Sequence, residues 1–305
     1  MIGTRGSALA LAQTRWVQGQ IAGRHPDCQV ELVIIKTTGD KLKDVPLAQV
    51  GGKGLFIKEI EEALLAGQVD LAVHSLKDMP AEIPHGLRLA AVPPREDWRD
   101  AFLSQRYASL AEIPAGGRVG TGSLRRRVQI LHLRPDLEVV PLRGNVDTRL
   151  RKMAEMGLDG LILAAAGLAR LGLSHLSRGY LPEAEMLPAV AQGALGLEVR
   201  GQDRRVQELV AFLDHPPSRV AVTAERAFLG RLEGGCLVPV AALGKVEPDS
   251  LILKALISDL QGRRLLKDSL AGPPQEAESL GRTLAERLLA QGGRAILAEI
   301  YERPL

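Results

Sequence analysis

Short apolar runs alternate with amphipathic stretches along the first two thirds of the chain, the rhythm of strand, turn and helix. Ile2-Gly3-Thr4 leads through Arg5-Gly6-Ser7 into a helix running from Ala8 towards Ile21. Gln29–Lys36 and Val69–Ser75 are short, rich in valine and isoleucine, and predict strands. A polar, glycine-bearing stretch from Thr37 to Gly54 separates them, followed by a helix from Leu55 to Ala66. Gly117-Arg118-Val119-Gly120 reads as a strand entering a turn, with Ser123 as the N-cap of a helix over Leu124–Leu133. Val139–Leu142 precedes a helix bearing Arg149 and Arg151. Leu161–Ala166 predicts a buried strand, followed by a helical turn ending near Arg170.

The helix-then-strand unit over residues 59–73 is echoed over residues 148–162, which suggests two similar α/β lobes. Pro93-Pro94-Arg95-Glu96-Asp97 marks a crossing from one lobe to the other. Leu187–Gly193 marks the return, with Ala194–Arg200 re-entering the first lobe's sheet. His215-Pro216-Pro217-Ser218 reads as a linker. Beyond it come a helix over Val220–Leu232, strands near Val238–Val246, Leu251–Ser258 and Arg264–Leu270, and a helix from Pro274 to Ala290. The expected domains are therefore residues 1–93 with 194–213, residues 99–187, and a small α+β domain over 216–305.

Arginine recurs where these strands end. Arg125, Arg126 and Arg127 occupy the first turn of a helix, where the backbone's partial positive charge disfavours a cation by roughly 0.3–1 kcal/mol. An anionic ligand would supply the counter-charge, held jointly by guanidinium forks and free helix N–H groups. In open α/β sheets ligands sit beyond the carboxyl ends of the strands. Arg5, Arg125, Arg126, Arg143, Arg149 and Arg170 are thus expected to line one cleft for a polyanion. Arginine in place of lysine favours bidentate recognition of carboxylate or phosphate.

Net charge is only +3, so this basic character is local. With two Trp, three Tyr and four Phe available for base stacking, the case for nucleic acid is weak. The apolar runs are too short to span a bilayer, and no secretory signal precedes the first strand. The chain reads as a soluble, cytoplasmic protein. Cys28 and Cys236 offer neither a disulfide framework nor metal-ligand spacing, and no metal is expected.

Cys28 reads as a small buried hydrophobe. Cys236, after Gly234-Gly235, is equally a candidate for a thiol projecting into a cleft and for a packed one. Asp78, in His74-Ser75-Leu76-Lys77-Asp78-Met79-Pro80, is either an ordinary loop acid or a carboxylate facing the arginine cleft. There it would balance a cationic intermediate or accept a proton. Gly51-Gly52-Lys53-Gly54-Leu55-Phe56 fits no nucleotide fingerprint and reads as a glycine-hinged lid.

Taken in order, Thr4–Ser7, Val50–Phe56, His74–Pro80, Gly120–Arg126, Leu142–Leu150, Ala189–Gly193 and Leu232–Cys236 closely resemble the motifs of the porphobilinogen deaminase (hydroxymethylbilane synthase) family. The similarity covers essentially all 305 residues. Gly122 departs from the serine more usual in the family. The resemblance implies two lobes like those of type II periplasmic binding proteins, a small C-terminal α+β domain, and a monomer. It implies a dipyrromethane cofactor joined by a thioether to Cys236. By the same resemblance, four porphobilinogen molecules would be condensed on this primer with loss of ammonia, and hydroxymethylbilane released by hydrolysis. Asp78 is then the catalytic residue. Lys77, Asp78, Ser123, Arg125, Arg126 and Cys236 hold the cofactor. Arg5, Ser7, Arg143, Arg149, Arg170 and Gln192 bind substrate, and Lys53 and Phe56 belong to the lid. The rival is a non-catalytic anion-binding protein on the same two-lobed fold.

Overall fold

A computed structural model describes residues 1–41, 57–232 and 238–302. Lys53, Phe56 and Cys236 lie outside the described residues. The chain forms two compact units. The first holds residues 1–41, 57–96 and 193–219, and the second holds 97–192 with 220–302. The chain passes between the units at Glu96/Asp97 and Gln192/Gly193. The second unit includes the C-terminal residues 220–302.

In the first unit, β1 (Ile2–Thr4) leads to α1 (Ala8–Arg24), β2 (Leu32–Ile34), the short α2 (Thr38–Lys41) and α3 (Lys58–Leu65). Then come β3 (Leu71–Ser75) and β4 (Leu87–Ala91), and β10 (Leu195–Arg200) returns to complete the sheet. Its order is β2-β1-β3-β10-β4, with β10 antiparallel to both neighbours. Val17 and Ile21 of α1 pack on one face with Leu71, Val73 and Leu197. Ile60, Ala63 and Leu64 of α3 pack on the other with Val69 and Ala72. The alternation of a strand thus sends Val73 and Ser75 towards α1, and Ala72 and His74 towards α3.

The second unit repeats this plan. Its sheet comprises β5 (Asp100–Leu103), β6 (Arg118–Gly120), β7 (Glu138–Val140), β8 (Gly160–Ala164) and β9 (Gly179–Leu181). Between them lie α4 (Leu124–Leu133), α5 (Val146–Glu155) and α6 (Ala165–Arg170). The order is β7-β6-β8-β5-β9, and here β5 is the antiparallel strand. In each sheet the antiparallel member is the strand laid down just after the chain crosses from the other unit. Two α/β lobes of the same strand order and a small α+β part are present.

After α7 (Arg204–Val210) and α8 (Pro216–Arg231), the C-terminal part is an antiparallel sheet of β11 (Val240–Val246), β12 (Leu251–Ser258) and β13 (Leu265–Gly272), with α9 (Ala277–Leu288) and α10 (Arg294–Glu302). Leu243 and Leu256 meet Leu187 and Trp98 of the second lobe, which is why the two parts share one unit. Two details correct the sequence reading. The presumed linker at Pro216-Pro217 opens α8, because proline is tolerated where the first N–H groups have no helical partner. Residues 165–166 belong to α6, not to the strand before it.

Candidate functional site

At the carboxyl edge of the first sheet, β1 and β3 end side by side. Ser7 caps α1, its Oγ accepting from the Ala10 N–H at 3.3 Å. β3 ends in a single 3₁₀ turn over Leu76–Asp78, closed by the Met79 N–H donating to the Leu76 carbonyl. Gln13 of α1 ties this strand end to the helix through Ser75 Oγ at 2.9 Å. Leu76 is buried and anchors the turn, Lys77 is half-buried, and Asp78 is exposed. Arg5, Ser7, Gln13, His74, Ser75 and Asp78 line one pocket, whose apolar wall includes Ile57 and Ile60. Three residues singled out from sequence, Arg5, Ser7 and Asp78, therefore meet in it. The pocket offers a cation for a carboxylate and a carboxylate for an N–H donor or a cation.

The matching edge of the second sheet is built differently. Ser123 caps α4 as expected, with its Oγ 3.5 Å from the Arg126 N–H. Arg125 and Arg126 do not point to an open edge. Each is only 4 % exposed, and both close on Asp100, which is fully buried. Arg125 Nη1 donates to Asp100 Oδ2 at 2.7 Å, and Arg126 Nε and Nη2 donate to Oδ1 at 3.0 and 2.8 Å. Gln192 Nε2 adds a bond to Oδ1 at 2.9 Å. The Leu187 and Ile162 carbonyls take further guanidinium protons. Burial alone would push the Asp100 carboxyl up, but the two guanidiniums hold it well below the usual carboxylate range. The counter-charge inferred from sequence to be a ligand is supplied, for Arg125 and Arg126, by Asp100. A buried carboxylate requires such partners. Gln192, expected at the substrate, likewise turns into this cluster. Two guanidiniums share one carboxylate, so the cluster keeps an excess positive charge beside the α4 N-terminus, and Arg125 Nε is buried with no partner among the described residues.

The other arginines of this unit that were expected to line the cleft are more open. Arg143 follows β7 and is half-buried, and burial pulls its guanidinium down from its ordinary value. Arg149, in the first turn of α5, donates from Nε to the Gly144 carbonyl at 2.8 Å. Arg170 ends α6 and is half-buried. Arg127 is exposed. Gly122 has a local cause: a Cβ there would lie 2.3 Å from the Leu142 carbonyl oxygen.

Among the described residues, sequence reasoning missed three acids that are completely buried. Asp100 is one. Glu198, in β10, receives His74 Nε2 at 3.0 Å. Glu225, in α8, accepts the Ala191 N–H at 2.6 Å and the Gly244 N–H at 2.8 Å. The first of these bonds steadies a left-handed Ala191 (φ 58°), unusual for a residue with a side chain. A carboxylate in the middle of the short strand Leu195–Arg200, flanked by leucine and valine, was the signal available for Glu198.

The chain matches the family model described as porphobilinogen deaminase, dipyromethane cofactor binding domain, over residues 1–208, and that for the C-terminal domain over residues 220–290. It is 56% identical over 302 residues to the porphobilinogen deaminase of Geobacter sulfurreducens, covering 99% of this chain and 95% of that one. The counterpart from Syntrophus aciditrophicus is 54% identical, over 99% and 98% of the two chains. Among solved structures, a periplasmic substrate-binding protein of an ABC transporter from Coxiella burnetii aligns at a TM-score of 0.44 and 15% identity, over 72% of this chain and 93% of that one. By sequence over nearly its full length, this chain belongs to the porphobilinogen deaminase family.

Proposed function

We propose that this chain condenses four porphobilinogen molecules head to tail, releasing one ammonia each time, on a dipyrromethane primer attached to Cys236. Hydrolysis then frees hydroxymethylbilane. The observation that carries the reading is the pocket at the carboxyl edge of the first sheet, where Arg5 and Ser7 stand with the exposed carboxylate of Asp78. Each pyrrole unit brings an acetate, a propionate and a ring N–H. A site for it needs cations for the first two and an acceptor for the third, and this donor set fits. The primer supplies a permanently tethered nucleophilic pyrrole terminus.

The chain's own residues do the rest. Loss of ammonia leaves positive charge delocalised over the substrate's pyrrole and its methylene carbon. Asp78 stabilises that charge and holds the pyrrole N–H, an electrostatic effect realised mainly in the transition state. The 3₁₀ turn, anchored by Leu76 and by the Gln13–Ser75 bond, keeps the carboxylate in place before substrate arrives. Lys77 and Arg5 take substrate or primer carboxylates. Ser123 and the excess positive charge of the Arg125–Arg126–Asp100 cluster favour carboxylates at the α4 N-terminus. Arg143, Arg149 and Arg170 hold the growing chain. The chain acts as a monomer in the cytoplasm; among the described residues no helix is long and apolar enough to cross a membrane.

Purified protein supplied with porphobilinogen should release one hydroxymethylbilane and four ammonia for every four porphobilinogen consumed. Binding without turnover would instead favour the anion-binding rival.

A further inference from the structure

Behind the Asp78 pocket, the face of the sheet turned towards α3 buries ionisable groups that the reaction does not use directly. His74 and Glu198 lie on the adjacent antiparallel strands β3 and β10, where Glu198 pairs with Ala72 and so stands diagonal to His74 on the same face. Their side chains are 4 % and 0 % exposed and are joined at 3.0 Å. Only Oε2 of Glu198 takes part. Oε1 is buried with no partner among the described residues, and so is Oε1 of Glu61 on α3. Two sealed carboxylate oxygens without donors are costly if both groups are ionised. Protonation of Glu61 removes part of that cost.

We propose that the buried His74–Glu198 pair and the half-buried Glu61 beside it form a group of positioning residues that fixes the β3 end carrying Asp78. His74 lines the Asp78 pocket and is followed directly by Ser75, which Gln13 grips from the opposite face. The helix turn bearing Glu61 also supplies Ile57 and Ile60 to the pocket wall. A change of charge in this group therefore acts on both sides of the pocket at once.

Burial, and next the Glu198 charge, push the Glu61 carboxyl up to about 7, while His74 opposes them. Among the described residues, the groups facing Glu61 are Glu198 from β10, His74 from β3 and Glu62 of its own helix, the last paired with Lys58. β1 brings no ionisable side chain to α3. Arg88 of β4 is turned to Gln207, and Arg200 of β10 donates to the Leu64 carbonyl at the far end of the helix. For an acid whose folded value is raised, protonation favours the fold. That advantage is complete below about 4.5 and is lost as pH rises through about 7.

The test uses the loaded holoenzyme of the wild type and of Glu61→Gln, which keeps the shape and fixes the group neutral. The melting temperature of the variant relative to wild type should climb between pH 5 and pH 8. In the kcat–pH profile, the limb near neutrality should flatten in the variant. The activity arm rests on the function proposed above, but the melting arm does not, so the two can fail separately. If Glu61→Gln does not accumulate, Glu61→Leu supplies the same comparison. A melting difference independent of pH, with an unchanged kcat–pH profile, overturns the proposal.

Discussion

The two lobes share a strand order, yet the acids at their carboxyl edges do opposite work. Asp78 stands exposed on a turn following β3, in a pocket with Arg5. Asp100 begins β5, opposite Ala164 at the end of β8, and is sealed beneath Arg125, Arg126 and Gln192. The same edge of the same architecture therefore provides one carboxylate open to a ligand and one committed to the interior. Position on the fold identifies an edge suited to binding, but burial decides whether a charge there serves chemistry or assembly.

Exchanging each acid for its amide separates these roles. Asp78→Asn should lower kcat on equally loaded holoenzyme by about two to four orders of magnitude, the usual cost of losing one electrostatic or acid–base group. Its melting temperature should barely move. Asp78→Glu, which keeps the charge but misplaces it, should retain more activity. A near wild-type rate for Asp78→Asn would direct attention to another acid.

Asp100→Asn should behave in the reverse sense. Removing one partner of a buried ion pair costs about 3–5 kcal/mol, since two guanidiniums lose their carboxylate. Urea unfolding at pH 7 measures this directly. Because the Asp100 carboxyl is held low in the fold, its contribution is present above its ordinary value of 3.8 and fades as pH falls below it. The gap between wild type and variant should therefore narrow at pH 3. A variant as stable as wild type at pH 7 would mean that the cluster is not an interior ion pair.

Smaller effects distinguish the open arginines. Arg143→Leu and Arg149→Leu should each weaken substrate or chain retention by about tenfold, equivalent to one charge-assisted hydrogen bond. Mass spectra of trapped complexes should show a shifted distribution of ring numbers. Arg127→Ala, at an exposed position in the same turn as the buried pair, should change stability by no more than about 0.5 kcal/mol.

Much of this was legible in the chain. Ser123 and the apolar spacing after it define α4 from Leu124 to Leu133, because cap and periodicity are local signals. The crossings at residues 93–97 and 187–193 are marked by proline and glycine. The inward turn of Arg125 and Arg126 was not legible. Their partner lies 25 and 26 positions away, on a four-residue strand whose first residue is charged. Nothing local states that such an aspartate will be buried. The third domain's attachment to the second lobe has the same origin, since Trp98, Leu187, Leu243 and Leu256 meet only in the folded chain.

The most direct test of the whole account is the intact mass of purified, fully active protein, followed by peptide mapping. The account predicts the mass of the chain plus two pyrrole units, with the adduct on the peptide containing Cys236. Cys28, half-buried against the core of the first lobe, should be unmodified. An unmodified mass in fully active enzyme, or an adduct placed on Cys28, would contradict it.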